Sequence, residues 1–430
     1  RFGVRHSSDC LIRHRWHQHP QAQPARCRSE RRRRRIQHHR RRIQHHRRRQ
    51  LRRYSCHAVT SDRPLIGAAI IVKDEAEHLR RCLASIRDLC DEIVVVDTGS
   101  SDDSVAVAQA HGAVVLHRPW DGDFSAARNL GLDHISADWI LYIDADEEAQ
   151  QLDTPGVRTA LATADGVAGF LVSFASHVGW TPYWEHRVWR HRDDVRFRGR
   201  IHETIVPDLR RLVREAGQRF EQLDMFLQHY GYEGDQTAKH QRNLPLLIEQ
   251  VELSPRRVYL WNHLGRIHEA LGNTIEAEAA WRHGVEVVRQ FGLQEQVDLL
   301  VYGALSLFLI RNGRPADDII DEGLSLGPDY YTLHLADAHR RIRSGEWESA
   351  ARVLRGLIAA GEGKVHQSVL AYDRSIFTRL PWEMLGNCLF EEGRYAEAAD
   401  AYERSQSYGA GALEMRTKIV ACRGLASRHQ

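Results

Sequence analysis

Two stretches decide the fold: E-I-V-V-V-D-T-G-S-S-D at residues 92–102 and D-W-I-L-Y-I-D-A-D-E at residues 138–147. Each contains an apolar run as long as a buried strand and ends in acidic residues. Apolar runs at 68–72 and 113–116 alternate with them, separated by segments of helical spacing. Short strands separated by single helices are typical of a parallel sheet with right-handed crossovers. We therefore predict parallel strands at 68–72, 92–96, 113–116 and 139–143.

Acidic side chains directly follow two of these predicted strands. Asp97 follows the second strand, and Asp144 and Asp146 follow the fourth. Because ligands of such sheets bind beyond the carboxyl ends of the strands, these side chains should share one crevice. Carboxylates at i and i+2 can converge on a divalent cation, which neutralises a diphosphate. A structural role is the alternative, because Asp97 can be a turn residue and D-A-D-E can be an acidic first helical turn.

The charge of the chain is concentrated at its beginning. The sequence has 60 Lys and Arg against 57 Asp and Glu, a net charge of +3. Residues 1–57 hold 19 Arg against two acidic residues, which is 19 − 2 = +17, so the remainder carries 3 − 17 = −14. We predict that residues 1–60 are disordered, because they offer little apolar surface to bury. The segment is either an arm for nucleic acid or anionic lipid or a stretch without specific function.

Cysteine usage and hydropathy bear on the compartment. The seven cysteines include no C-x-x-C pair, which argues against a disulfide framework or a zinc knuckle and favours a reducing compartment. The longest strongly apolar run, 299–310, is shorter than the roughly 20 residues of a membrane-spanning helix. The first sixty residues show no apolar secretory segment. We expect a cytoplasmic protein, with peripheral membrane contact left open.

The remainder of the chain has the pattern of helical hairpins. Two units have the spacing of the 34-residue tetratricopeptide repeat, and hairpins turning near Gly313 and Gly345 fit it more loosely, which suggests about four units. The matching positions are Trp261, Leu264, Gly265, His268, Ala277 and Trp281 in one unit and Trp382, Leu385, Gly386, Leu389, Ala398 and Tyr402 in the other. We expect these side chains to serve packing. The predicted domains are 1–60, disordered; 61–240, α/β; and 241–430, helical repeats.

The α/β motifs resemble a known family when taken in order. I-I-V-K-D-E at 70–75, the two stretches quoted first, and F-S-A-A-R-N at 124–129 resemble the inverting glycosyltransferases of family 2, which have the GT-A fold. V-W-R, G-R-I-H-E and H-Y-G-Y, with repeats behind them, resemble its repeat-bearing subgroup. The resemblance spans about 65–235. It implies a Rossmann-like, mostly parallel sheet and sugar transfer from a nucleotide-diphosphate donor, most often a UDP-sugar.

The resemblance also implies donor-binding roles. Asp97 would bind the base, and Val72 and Glu75 would line the same pocket. Asp144 would face the sugar or ribose, and Arg128 would lie near the diphosphate. Such a cation is physically sensible, because charge builds on the leaving group in the transition state.

A divalent metal, Mn²⁺ or Mg²⁺, is implied at Asp146 with Asp144 beside it. His202 could complete the metal shell or touch the diphosphate, and a structural turn histidine is the alternative. An inverting displacement needs a base to take the acceptor's proton. Many family members carry this base in an E-D pair, which is absent here. The candidates are Glu203 in G-R-I-H-E, with Asp194 behind it.

The acceptor side is less defined. Trp180, Trp184 and Trp189 are expected there, with core packing as the alternative. The acceptor is a glycan, a lipid-linked glycan or a peptide, and the repeats would present a protein partner or mediate self-association. No specific nucleic-acid partner is expected.

Other classes of protein were weighed against this hypothesis. A dinucleotide-binding dehydrogenase would need glycines after the first strand, where I-I-V-K-D-E-A has none. A haloacid-dehalogenase phosphatase would place D-x-D after its first strand, whereas here it follows the fourth. The remaining alternative is a non-catalytic repeat protein with a degenerate transferase domain.

Overall fold

A computed structural model describes residues 64–231, 236–363, 369–409 and 411–428. The prediction of disorder for residues 1–60 lies outside these ranges. Residues 63–430 belong to one compact unit. Within the described ranges, a sheet-containing region is followed by a region built only of helices.

The first region contains eight strands and five α-helices among its described residues. The four predicted strands are confirmed, with ends displaced by at most two residues. The strands are β1 Ile66–Val72, β2 Glu92–Asp97, β3 Val114–His117, β4 Trp139–Tyr142, β5 Glu147–Gln150, β6 Val167–Ala175, β7 Tyr183–Arg190 and β8 Arg219–His229. The helices are α1 Ala76–Ile86, α2 Ser104–Ala110, α3 Phe124–Leu132, α4 Thr154–Ala162 and α5 Val206–Ala216.

All eight strands form one mixed sheet in the order β3-β2-β1-β4-β7-β6-β8-β5. The pairs β1–β2, β2–β3 and β1–β4 are parallel, as the sequence predicts. The pairs β4–β7, β6–β7 and β5–β8 are antiparallel, whereas β6–β8 is parallel. The second half of the sheet was not predicted, because strands such as Y-W-E-H-R-V-W-R carry charges within them and lack the plain apolar run of a buried strand.

The sheet is covered on both faces, which explains the apolar runs of its central strands. Along β1, Ala68 and Ile70 belong to one apolar cluster, and Ala69 between them belongs to another, as expected from the two-residue period of a strand. The first cluster includes Leu83 of α1 and other side chains of α1 and α4, and the second includes Leu209 and others from α3 and α5. The region is therefore a three-layer α/β/α domain.

The second region consists of helices from Thr237 onward. The helices are α6 Thr237–Leu253, α7 Val258–Ala270, α8 Thr274–Phe291, α9 Leu300–Arg311, α10 Asp317–Leu326, α11 Tyr331–Arg343, α12 Trp347–Glu362, α13 Arg379–Glu391, α14 Tyr395–Ser407 and α15 Ala412–Ala426. Helices α7 to α14 pair consecutively into four hairpins, which agrees with about four predicted units. Of the described helices, none is long and apolar enough to cross a bilayer.

The two best repeat matches share one packing detail. A Cβ atom on Gly265 would lie 2.4 Å from the indole nitrogen of Trp281, and one on Gly386 would lie 2.6 Å from the ring of Tyr402. Both aromatic side chains are buried. The glycine of the first helix thus allows the aromatic ring of the second to pack against its backbone, which is the packing role expected for these positions.

The helical region packs directly on the α/β domain. Ile201 of the G-R-I-H-E segment shares an apolar cluster with Leu247 of α6 and Leu260 of α7. A second contact lies elsewhere, where the N–H of Thr181 in the β6–β7 loop donates to the carbonyl of Tyr372 at 2.8 Å. The helical region therefore meets the α/β domain at several separate places, one of which is an ion pair between Arg210 and Glu295.

Candidate functional site

The carboxyl ends of β1, β2 and β4 lie side by side at one edge of the sheet. Val72 at the end of β1 pairs in register with Asp97 at the end of β2. The loops after these strands are joined by hydrogen bonds: the N–H of Asp74 donates to Ser100 Oγ at 3.0 Å, and the N–H of Ser101 donates to Asp74 Oδ1 at 2.6 Å. The two loops form one continuous rim at this edge.

Asp97 is buried in this rim and organises the turn that follows it. Its carboxylate accepts from the N–H groups of Gly99 and Ser100 and lies 3.2 Å from His117 Nδ1. Burial opposes ionisation, but these hydrogen bonds prevail and lower the pKa of Asp97. Asp97 therefore has the turn role left open above. Glu75 lies at the same rim, where its N–H donates to the hydroxyl of Ser104.

Arg128 of α3 joins two carboxylates that are distant in sequence. Its Nη2 donates to Asp144 Oδ1 at 2.7 Å, and its Nε donates to Glu203. Only 6% of Arg128 is exposed, and its guanidinium lies 4.5 Å from the ring centroid of Tyr142. Burial alone would lower the pKa of Arg128, but Asp144 and Glu203 raise it well above its ordinary value. Within the described part of the chain, the buried Nη1 has no hydrogen-bond partner.

Asp146 pairs with a histidine from the last strand. His229 Nε2 lies 3.1 Å from Asp146 Oδ2, and the N–H of Tyr230 donates to the carbonyl of Asp146 at 2.9 Å. Burial opposes both charges, but the hydrogen bond between the two groups lowers the pKa of Asp146 and raises that of His229. A Cβ atom on Gly231 would lie 1.8 Å from Asp146 Oδ2, so this backbone position has no room for a side chain.

The chemistry of this pair fits a divalent metal ion. His229 Nδ1 lies 3.2 Å from the carbonyl oxygen of Ser176, which can only accept, so Nδ1 carries a proton, and a metal ion would take the place of the proton between Nε2 and Asp146. One carboxylate oxygen and one imidazole nitrogen suit Mn²⁺. Within the described ranges, no cluster of three or more His, Cys, Asp and Glu side chains could hold a metal. The described residues thus offer two ligands here, and substrate or water would supply others.

Glu147 supports the turn that contains Asp144 and Asp146 through hydrogen bonds. It accepts the N–H of Asp144 at 2.9 Å and forms two 2.9 Å hydrogen bonds with Arg187 of β7. The guanidinium of Arg187 lies 4.4 Å from the ring centroid of Phe174. Burial, with the nearby charges of Asp144 and Asp146, raises the pKa of Glu147 to about 7 despite Arg187. D-A-D-E is therefore a strand-to-strand turn and not the first turn of a helix.

His202 does not join the acidic residues. Its ring packs against the rings of Tyr259 and His263 of α7, with centroids 5.6 and 4.2 Å away. Burial and the nearby Arg257 and Arg266 lower the pKa of His202 to about 3. The physical reason is the direction of the turn: the side chain of Glu203 points to Arg128, while that of its neighbour His202 points to α7. In the described structure the histidine beside Asp146 is His229.

Asp194 is also separate from the Arg128 cluster. It accepts from Arg192 at 2.8 Å and from Arg211 of α5 at 2.9 Å, and 43% of its side chain is exposed. These hydrogen bonds, that from Arg192 first, lower its pKa far below the ordinary value. A carboxylate engaged by two guanidinium groups is a weak proton acceptor. Of the two predicted base candidates, the structure brings only Glu203 to Arg128 and Asp144.

The three tryptophans have different surroundings. Trp189 is 1% exposed and belongs to a core cluster, and Trp184 lies in β7 with its indole N–H buried. Trp180 lies in the β6–β7 loop, where its carbonyl accepts from Arg374 at 3.2 Å. Trp189 therefore has the core-packing role given as the alternative. Trp180 lies at the second contact between the domain and the repeat helices.

His229, Gly231 and the pair of Glu147 with Arg187 were not singled out as site residues from the sequence. The string H-Y-G-Y at 229–232 had been noted, and it contains both the histidine and the glycine that contact Asp146. A histidine at the end of a stretch that alternates apolar and polar residues, followed two residues later by a glycine, was the available signal. Arg187 pairs with Glu185 on its own strand, but its pairing with Glu147 joins two different strands and has no local sequence signal.

The geometry defines a class of protein: an α/β domain with acidic side chains at the carboxyl ends of its parallel strands. Residues 68–205 match the family model described as "Glycosyl transferase family 2". The chain therefore contains a family 2 glycosyltransferase domain, followed by helical repeats.

Similar curated proteins include one named for its repeats and one named as a glycosyltransferase. A TPR repeat-containing protein of Synechococcus elongatus is 34% identical over 227 residues, which are 51% of this chain and 56% of that protein. The SPbeta prophage-derived glycosyltransferase SunS of Bacillus subtilis is 27% identical over 268 residues, 59% of this chain and 60% of that protein. The chain thus spans somewhat over half the length of these curated relatives.

Among solved structures, the chain is similar to glucosyl-3-phosphoglycerate synthase from Mycobacterium tuberculosis in complex with Mn²⁺ and UDP-glucose. The two are 18% identical, and the match covers 43% of this chain and 77% of that chain with a TM-score of 0.34.

Proposed function

We propose that the protein transfers a sugar from a nucleotide-diphosphate donor, in the first place a UDP-sugar, to an acceptor by metal-assisted inverting displacement. The observation that carries the proposal is the buried guanidinium of Arg128, which joins Asp144 to Glu203 at the sheet edge. A buried cation between two carboxylates costs desolvation energy, so its retention at a crevice points to a functional charge.

The donor would lie along the rim formed by the loops after β1 and β2. Val72, Glu75 and Asp97 border the base pocket in this proposal, and Asp144 faces the sugar or ribose. Arg128 would bind the diphosphate. Its Nη1 is buried without a partner in the described structure, so a phosphate oxygen can accept from it without displacing either carboxylate.

Asp146 and His229 would hold the metal ion, as their oxygen and nitrogen ligands allow. When bound, the ion would supply positive charge that stabilises the leaving diphosphate. Gly231 and Glu147 would keep this site in shape, since Gly231 leaves room for the Asp146 carboxylate and Glu147 accepts the N–H of Asp144. His202 has no part in the metal site in this proposal.

Glu203 is the proposed base. In the displacement, the acceptor atom forms a bond to the anomeric carbon as the bond from that carbon to the diphosphate oxygen breaks. The proton of the acceptor passes to the Glu203 carboxylate, and the nucleoside diphosphate leaves with the electron pair. When no nucleotide sugar is bound, Arg128 Nε donates to the Glu203 carboxylate.

The test is release of free nucleoside diphosphate by the full chain from a panel of nucleotide sugars with Mn²⁺, since slow hydrolysis needs no acceptor. We expect one donor to be turned over, with activity lost in chelator and reduced at least about 100-fold in Asp146→Asn. The matched control is Asp165→Asn, an exposed aspartate away from the crevice, which should retain wild-type activity.

Two outcomes would contradict the proposal. One is equal turnover by the wild type and Asp146→Asn. The other is no turnover of any donor together with no metal-dependent stabilisation by any nucleoside diphosphate in thermal melts. The second result would favour a repeat protein that binds a partner without catalysis.

A further inference from the structure

The segment that carries Glu203 is a tight turn closed on itself. Arg198 and Thr204 exchange backbone hydrogen bonds of 3.0 Å in both directions, which closes the turn across residues 199–203. His202 within it has a φ of 50°, a left-handed conformation that non-glycine residues rarely adopt. Such a conformation persists only where surrounding contacts enforce it. The contacts that enforce it come from the helical repeats.

The two residues of the turn that precede His202 are held by α6. The N–H of Arg200 donates to Gln250 Oε1 of α6 at 2.7 Å, and Gln250 is 5% exposed. The next side chain, Ile201, packs in the apolar cluster with Leu247 and Val251 of the same helix. Two successive residues of the turn are therefore fixed to the first helix of the repeat region.

At His202 itself the contacts come from the start of α7. Arg257, the residue before α7, donates from Nη1 to the carbonyl of His202 at 2.7 Å. The His202 ring packs against Tyr259 and His263, which lie one turn apart on one face of α7. In the described structure Arg257 forms no ion pair, and its guanidinium lies 5.5 Å from the Tyr259 ring. The carbonyl and the side chain of the strained residue are thus both held by the repeat region.

We propose that Arg257 is a positioning residue for the reaction: by fixing the His202 carbonyl it directs the next side chain, Glu203, toward Arg128 and the acceptor. This inference rests on the proposed function of Glu203 as the base. The first repeat is then part of the catalytic centre, in addition to any role in presenting an acceptor. In the described structure Arg257 makes no hydrogen bond to Arg128 or Asp144; its hydrogen bond goes to the turn, and its charge also attracts the nearby Glu203 carboxylate.

Three variants test this role in the full chain. Arg257→Met keeps an unbranched stem but removes the donor, Arg257→Lys keeps one donor, and Arg256→Met is the matched control. Arg256 is exposed and lies over Phe291, away from the turn. We expect Arg257→Met to lower kcat about tenfold with KM for the nucleotide sugar within twofold. Arg257→Lys should recover most of the loss, and Arg256→Met should match the wild type.

A double-mutant cycle with Glu203→Gln separates positioning from general stability. If Arg257 acts through Glu203, Arg257→Met should cost little further activity once Glu203 is replaced. An equal tenfold loss in both backgrounds, or a rise in KM with unchanged kcat, would overturn the inference. So would an equal loss in Arg256→Met.

Hydrogen exchange of residues 198–205 provides a readout that does not depend on turnover. We expect faster exchange of this turn in Arg257→Met, restored by Arg257→Lys, with β1 and β2 unchanged. If no donor is turned over by the wild type, the proposed function fails, and the exchange experiment alone shows whether Arg257 holds the turn. Unchanged exchange in Arg257→Met would overturn the inference whatever the fate of the proposed function.

Discussion

The sheet edge and the helical repeats both use glycines for close approach, but against different groups. At the sheet edge, Gly231 lies against the carboxylate of Asp146, and in the repeats Gly265 lies against the indole ring of Trp281. The surroundings differ in the same way. Buried charges such as Arg128 and Glu147 cluster at the sheet edge, whereas Trp281 belongs to a large apolar cluster. The same residue type therefore serves a charged site in one region and packing in the other.

Because the two surroundings differ, a side chain added at Gly231 should have different consequences from one added at Gly265. A change beside Asp146 should affect ligand binding and activity more than stability. A change beside Trp281 should affect stability and leave activity per folded molecule intact. Three predictions test this difference, beginning with the largest expected effect.

Gly231→Ala should reduce donor turnover at least about 100-fold, because the new Cβ would lie 1.8 Å from Asp146 Oδ2 and must displace that carboxylate. Mn²⁺ affinity, measured by calorimetry, should fall in parallel. The control is Gly411→Ala, where a Cβ atom meets nothing within 4 Å. Full activity in Gly231→Ala would show that the position of Asp146 is not important for the reaction.

Glu147→Gln should change how stability depends on pH. Folding raises the pKa of Glu147 from its ordinary 4.5 to about 7, so between these values the folded state holds a proton that the unfolded state has released. The contribution of Glu147 to stability is therefore greatest below pH 4.5 and falls as pH rises toward 7, by roughly 1 kcal/mol per pH unit. Glutamine cannot titrate, so the variant should lack this contribution.

Denaturant unfolding of the wild type and Glu147→Gln at several pH values between 4.5 and 7 measures the two slopes. Glu322→Gln is a suitable comparison: that carboxylate lies among the repeats and its pKa is lowered, so its contribution to stability changes below pH 4.5 and the variant should keep the wild-type slope above it. Identical slopes for the wild type and Glu147→Gln would mean that Arg187 keeps Glu147 ionised throughout this range.

Gly265→Ala should destabilise the repeat region by about 1–2 kcal/mol. The new Cβ would lie 2.4 Å from the Trp281 nitrogen, and such overpacking outweighs the better helix propensity of alanine. Gly356→Ala in α12 is the control: its Cβ meets nothing within 4 Å, so it should stabilise by about 0.5–1 kcal/mol. Thermal melts and donor hydrolysis at 20 °C below the midpoint compare the two. Lost activity in a fully folded Gly265→Ala protein would break the proposed division between site and packing.

Much of the fold follows from local sequence patterns. Burial imposes a pattern on residues that are close in sequence. This pattern is visible in the apolar runs of β1 to β4 and in the periodic glycines and aromatics of the best repeat units. The local sequence pattern of strands β5 to β8 is weaker. Their pairings in the sheet are mostly antiparallel, and a charged side chain such as Arg187 pairs both with Glu185 on its own strand and with Glu147, which lies far from it in sequence.

By itself, the sequence determined that Asp97, Asp144 and Asp146 end or follow strands at one edge of a sheet, because strand order and polarity fix where strand ends lie. Only the tertiary structure decided which side chains meet them. It joined Arg128 to Glu203, placed His229 instead of His202 beside Asp146, and set Arg257 of the repeats against the turn that carries Glu203. These contacts link residues far apart in the chain, and no local periodicity encodes a partner that lies on another element.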